Sequence, residues 1–188
     1  MRSYWFGVIA TYLHLIAMAT YVGGSLIMEF VVGHAQKSIP PAQAQVMGEK
    51  TADRFLLLAW SALGLLLVSG IMQAYAKSVE PMLMGDGLFD SGYGWSLFLM
   101  IALWAVLVVN GSIMTFVLRP RLKGKMGAQV GAAQVQARQG HLMKTVRQMQ
   151  WITRADLVIA LLVPLAGAGL LHGNGLFTTG VLAPLGLG

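Results

Sequence analysis

Four histidines and twelve methionines are the side chains in this sequence best suited to hold a soft or borderline metal, because it contains no cysteine. Without thiols there is no thiolate metal site, no thioether-attached haem and no disulfide framework, which leaves imidazole, thioether and carboxylate as ligands. His14 stands out because it lies inside an apolar run from Trp5 to Val32. An ionisable side chain in hydrocarbon costs roughly 2.5–3.5 kcal/mol on insertion scales, so His14 is expected to face protein or a bound group rather than lipid. Glu29 lies near the other end of the same run, where hydration or pairing with Arg54 or Arg154 is its simpler role.

Two metal chemistries fit these positions. Haem b in a membrane bundle needs one or two axial ligands on inward-facing helix positions, commonly neutral imidazole. His14 and His172 are the natural pair, with Met18, one turn beyond His14, or Met72 as thioether alternatives to His172. The depths differ: His14 is about 12 Å down its helix, while His172 ends the last apolar stretch. Tilt or a kink at Pro164 has to close that gap. The rival chemistry needs no porphyrin. Met82-Leu83-Met84 falls on the same side as His14, His172 and Met72, and thioethers combined with imidazole favour Cu(I). Methionine also serves as adaptable packing, and the plainest role for His14 is a hydrogen bond to a neighbouring helix. His34 and His141 fall in the polar connections at the opposite surface.

The elements that must position these groups are four membrane spans. With 56% hydrophobic and 11% charged residues, the 188-residue chain reads as a single membrane domain. The spans are expected at about 5–32, 55–75, 95–118 and 151–172, each near or above the ~20 residues that cross a bilayer. Arg2 and the first run resemble a signal peptide, but the run is too long for one and lacks a small-residue cleavage site, so it is kept as a helix. Pro40-Pro41 ends one element and opens a helical lead-in over Ala42 to Arg54. Trp60 and Tyr75 are placed as interfacial anchors, and Gly64, Ser69 and Gly70 as small residues for close helix packing. Residues 76–94 form a loop, and Asn110 is the chief interruption of the third span. The basic stretch 119–150 is expected to be largely helical, and the apolar tail 173–188 is too short to cross comfortably.

Eleven of the thirteen Lys and Arg fall in the two connections between spans one and two and spans three and four. The positive-inside rule therefore puts those connections in the cytoplasm and both termini outside, the arrangement of a bacterial inner-membrane protein with periplasmic ends. The net charge of +6 is thereby a topology and anionic-lipid signal rather than one for nucleic acid. Asp53-Arg54 and Arg154-Asp156 open the two returning helices. These signs fit either two hairpin repeats forming a four-helix bundle or ordinary interfacial anchoring. No P-loop, dinucleotide fingerprint, G-x-S-x-G or H-E-x-x-H is present, so no catalytic residue is assigned.

Tyr12-Leu13-His14-Leu15 followed by Tyr21-Val22-Gly23-Gly24 resembles the first helix of the CopD-like and HemJ-like integral membrane proteins. Trp60, Gly64 and Gly70, the Gly94-Trp95 start of span three, and Asn110 with Arg119-Pro120 are similar too, so the resemblance covers roughly residues 10 to 120. It implies a small all-helical membrane fold with either haem b near the histidine or a role in copper handling. The HemJ-like proteins share a lysine early and a histidine later in the third helix. Here Ser96-Leu97-Phe98-Leu99-Met100 and Asn110 stand there, which argues against protoporphyrinogen oxidase activity more than against porphyrin binding.

The reading from sequence is thus an all-α, four-span protein that binds haem b near its outer face and passes electrons, as a subunit beside other membrane redox subunits or as a homo-oligomer. Cu(I) handling is its alternative; protoporphyrinogen oxidase activity and a purely structural membrane role come after. A reduced-minus-oxidised absorption spectrum of the solubilised protein separates them. A Soret band altered in His14→Ala supports haem, and no band, or a band indifferent to that change, removes it.

Overall fold

The computed structural model describes residues 4–79, 81, 85, 88–89, 91–122 and 132–171. Helix α1 (Tyr4–Leu26) runs on through a π-helical turn at Ile27–Val32 and a short tail ending in a 3-10 turn at Gln36–Ser38. Helix α2 spans Pro41–Ala76, and α3 spans Gly92–Ser112 before a second π-helical turn at Ile113–Leu118. Helix α4 covers Ala132–Leu171 with Pro164 inside it. Four stretches are long and apolar enough to cross a membrane, namely Tyr4–Ser38, Val46–Ala76, Gly92–Leu118 and Arg147–Ala168. The chain is an all-α, multi-pass membrane protein.

Local chemistry sets the boundaries. Pro41 occupies the first turn of α2, where its missing N–H costs nothing. The expected helical lead-in over Ala42 to Arg54 runs directly into the second span as one helix. At its far end Ser78 takes a left-handed conformation (φ 57°), and the Val79 N–H bonds the Ala74 carbonyl at 3.0 Å, closing the helix in a Schellman-type turn. Ser91 caps α3, its hydroxyl accepting from the Gly94 N–H at 3.1 Å, so the third span begins at Gly92 rather than Trp95. The two π turns were not expected from sequence. In each, the following N–H bonds five residues back, Gly33 to Met28 and Arg119 to Met114.

The helices pack as two antiparallel hairpins. α1 lies on α2, with Phe6 edge-on to Tyr75 at one end and Gly24 against Phe55 at the other. α3 lies on α4, and α1 also touches α4. The shared core is built from Ala17, Ala59, Ala62 and Ala160 with Tyr21, Leu63, Leu66 and Leu107. Small residues dominate such a core because lipid is as apolar as leucine, so helices adhere by close approach rather than by hydrophobic exclusion. Trp5, Ile9, Phe30, Ile71, Phe116 and Leu165 are exposed, as lipid-facing residues would be. Trp60 is not simply an interfacial anchor: its Nε1–H donates to Thr115 Oγ1 on the third span at 3.2 Å.

The turn into α3 depends on one glycine. A Cβ at Gly94 would overlap the Leu88 carbonyl, so the loop passes directly over a backbone with no side chain. Gly94→Ala is expected to lower stability by about 1–3 kcal/mol, as overpacking does, read as a fall in the thermal unfolding midpoint in detergent. An unchanged midpoint would mean the loop yields freely.

Candidate functional site

His14 is half-buried on α1 and faces α2. Its Nδ1 lies 2.9 Å from Ser69 Oγ, and its ring edge is beside Gly70, where an added Cβ would sit 3.7 Å from Cε1. Ser69 has one proton to give. Its Oγ is 2.6 Å from the Leu65 carbonyl, the back-bond that a helical serine makes when no water is present. The hydroxyl therefore donates to Leu65 and accepts from His14 Nδ1–H, which assigns the neutral tautomer with its lone pair on Nε2. The Leu66 backbone carbonyl is also within hydrogen-bond reach of the ring, so α2 holds the imidazole through Ser69 and Leu66, and a ring oriented by such partners is how metal-ligating histidines are held. Ser69, expected as a packing residue, is the partner that orients His14. Gly64, expected beside it, has open space around it.

A second polar centre lies deeper. Asp156 is 8% exposed, and Asn110 donates from Nδ2 to its Oδ1 at 2.7 Å, joining α3 to α4. Tyr21, 7% exposed, comes from α1 and is within electrostatic reach of Asp156. A carboxyl group in hydrocarbon is costly unless compensated, and the Asn110 amide compensates this one. Seven residues separate His14 from Tyr21 on α1, so the two centres are roughly 10 Å apart along the helix. Asn110 was legible as an interruption of an apolar span, but not its partner. The available signal was one polar residue in each of two consecutive spans, which must run antiparallel.

A third layer closes the basic end. Arg154 Nε donates to Glu29 Oε1 at 3.0 Å, the pairing that sequence offered as the simpler role for Glu29. Arg119 pairs with Asp53. The charged residues that open the two returning helices thus reach across to other spans, and the polar groups on α1 form a line: His14, Tyr21, Ser25, Glu29. Ser25 satisfies itself on the Tyr21 carbonyl at 2.8 Å.

Of the expected ligands, Met18 is partly buried against the core and Met72 is partly buried one turn beyond Ser69. His172, Met82 and Met84 lie outside the described residues. Among the described residues no three His, Asp or Glu side chains cluster as a metal cage. Nor does the seam at His14 fit a porphyrin. Ala10, Ala17 and Ser69 are at most 1% exposed there, so α1 and α2 touch with no gap for a macrocycle between them. A haem would have to lie on another side of the ring.

The family model described as copper resistance protein D (CopD) matches residues 49–170 of the chain. That range holds Ser69, Asn110 and Asp156 and begins beyond His14, whereas the motif resemblance in the sequence covers roughly residues 10 to 120. No curated protein and no solved structure matches the chain. The match favours the copper alternative and lends nothing to haem b or electron transfer.

The Asn110–Asp156 bond gives a direct test of how this interior is held. Asn110→Leu leaves the buried carboxyl without its donor and is expected to cost about 1–3 kcal/mol, seen as a lowered unfolding midpoint. Asp156→Asn keeps a partner for Asn110 and should cost less than half as much. Equal effects would mean that the bond itself contributes nothing.

Proposed function

The chain belongs to the copper resistance protein D family, and from that premise we propose that it handles Cu(I) within the bilayer, with His14 as an imidazole ligand. The observation that supports the reading is the Ser69 hydrogen bond, which orients the ring; with the Nδ1 proton directed at Ser69, Nε2 would be the nitrogen offered to a metal. Cu(I) is soft and accepts two or three ligands, so one imidazole with thioethers suits it where a hard divalent cation would need more oxygen. Met18 follows His14 by one helical turn on the same face and is the first thioether candidate. Met72, partly buried one turn beyond Ser69, is a second candidate, and Met82, Met84 and His172, which the order of spans in the sequence assigns to the same side of the membrane, are further ones.

The copper ion is cargo in this reading. It reaches the imidazole from the end opposite the basic connections, which the positive-inside count assigns to the periplasmic side of a bacterial inner membrane. Below His14 the line of Tyr21, Asp156 and Asn110 supplies the polar surface that a cation needs inside a bundle. The Glu29–Arg154 pair then marks the far boundary of that path. Electron transfer and haem b have no comparable support, and the absorption spectrum described above is their test.

Cu(I) competition against a chromogenic chelator, on protein in detergent, reads the site. Ser69→Ala frees the ring and should weaken binding by about 10- to 100-fold, the usual effect of losing the group that orients a ligand histidine. His14→Ala should weaken it at least as much, and Met82→Leu with Met84→Leu less. Unchanged affinity in His14→Ala would overturn the assignment.

A further inference from the structure

A groove of about 580 Å³ opens at the basic end of the α3–α4 hairpin, away from both polar centres. One wall is the π-helical turn after α3, with Ile113 and Val117; the other is α4, with Trp151 and Ile152. Lys144 and Arg147 stand at its mouth. The hairpin is antiparallel, and Met114 faces Thr153. The groove therefore runs along the helices, with Ile113 and Ile152 deeper in the span and the two cations at the end nearer the basic connection.

Three features identify what fits. The walls are apolar and Trp151 is 65% exposed, as an interfacial indole would be. The lining contains two cations and no acid. Among the described residues neither Lys144 nor Arg147 has an ion pair, although Arg119 and Arg154 at this end are each paired with a carboxylate. A channel that is oily at its deep end and unpaired positive at its mouth, set at the edge of a membrane span, matches an amphiphile with an anionic head.

We propose that this groove binds one anionic phospholipid, its phosphodiester at Lys144 and Arg147 and its acyl chain along Ile113, Val117 and Ile152. The cations supply the charge complementarity that a zwitterionic lipid would not reward. The wide π turn belongs to the site, because it forms the whole α3-side wall over Ile113–Leu118. This goes beyond copper handling and uses none of its residues.

Trp151 makes the site measurable. The full-length protein is placed in phosphatidylcholine vesicles carrying a minor fraction of either brominated phosphatidylglycerol or brominated phosphatidylcholine. The Trp151 share of the quenching is taken by difference from Trp151→Phe. Phosphatidylglycerol is expected to quench preferentially, with about fivefold in relative affinity from each cation. Lys144→Gln with Arg147→Gln should bring the preference close to one, and Lys37→Gln with Lys50→Gln, at the same end but outside the groove, should leave it in place. Equal quenching by the two lipids, a preference that survives loss of Lys144 and Arg147, or one lost equally in the Lys37 and Lys50 variant would overturn the proposal. So would its abolition by millimolar inorganic phosphate, which would mean a soluble anion occupies the mouth.

Discussion

Hydrocarbon offers no hydrogen-bond partner, so every polar group in the four spans must find one in protein, and that requirement organises the interior. Most hydroxyls meet it alone. Ser61, Ser96, Ser112 and Thr153 each bond a carbonyl four residues back in their own helix, at 2.7–2.9 Å. Groups too large for that solution bond across helices instead, and these bonds fix the bundle: Trp104 Nε1–H to the Leu63 carbonyl, Trp60 to Thr115, Asn110 to Asp156, and His14 to Ser69. With alanine-rich seams giving little directional packing, such cross-links decide which helix faces which.

The proposed function rests on the one cross-link that involves a possible metal ligand. The indoles spend their single N–H and retain no lone pair for a metal. Imidazole differs, because satisfying one nitrogen prepares the other. In the proposed reading, the same need for a partner that stabilises the α1–α2 seam sets the imidazole at a defined place. Copper would suit such a place under that proposal, because it requires few ligands and the Met18 thioether lies one turn away on the same face.

The number of spans was legible because apolar length is a strong signal, and so was the importance of His14, since an ionisable group in such a run demands an explanation. Ser69 was read as a spacer, because a serine beside glycines looks like packing until the helix opposite it is known. Asp156 was seen only as part of a charged pair with Arg154, although the two neighbours point to different partners, Asn110 and Glu29. The haem reading rested on pairing His14 with another histidine at a distance that sequence could not measure. The close α1–α2 contact and the family match moved the balance to copper.

The paired π turns at Ile27–Val32 and Ile113–Leu118 have a consequence for the lengths of the first and third spans. A turn closed five residues back accommodates more chain than a regular one. Each of these helices carries its slack at the basic end, beyond His14 in one and beyond Asn110 in the other. Loss of a residue there is absorbed by reversion to ordinary helix, and the register of everything before it stays put. Reading a 3.6-residue repeat straight through those turns, by contrast, assigns the side chains after them to the wrong face.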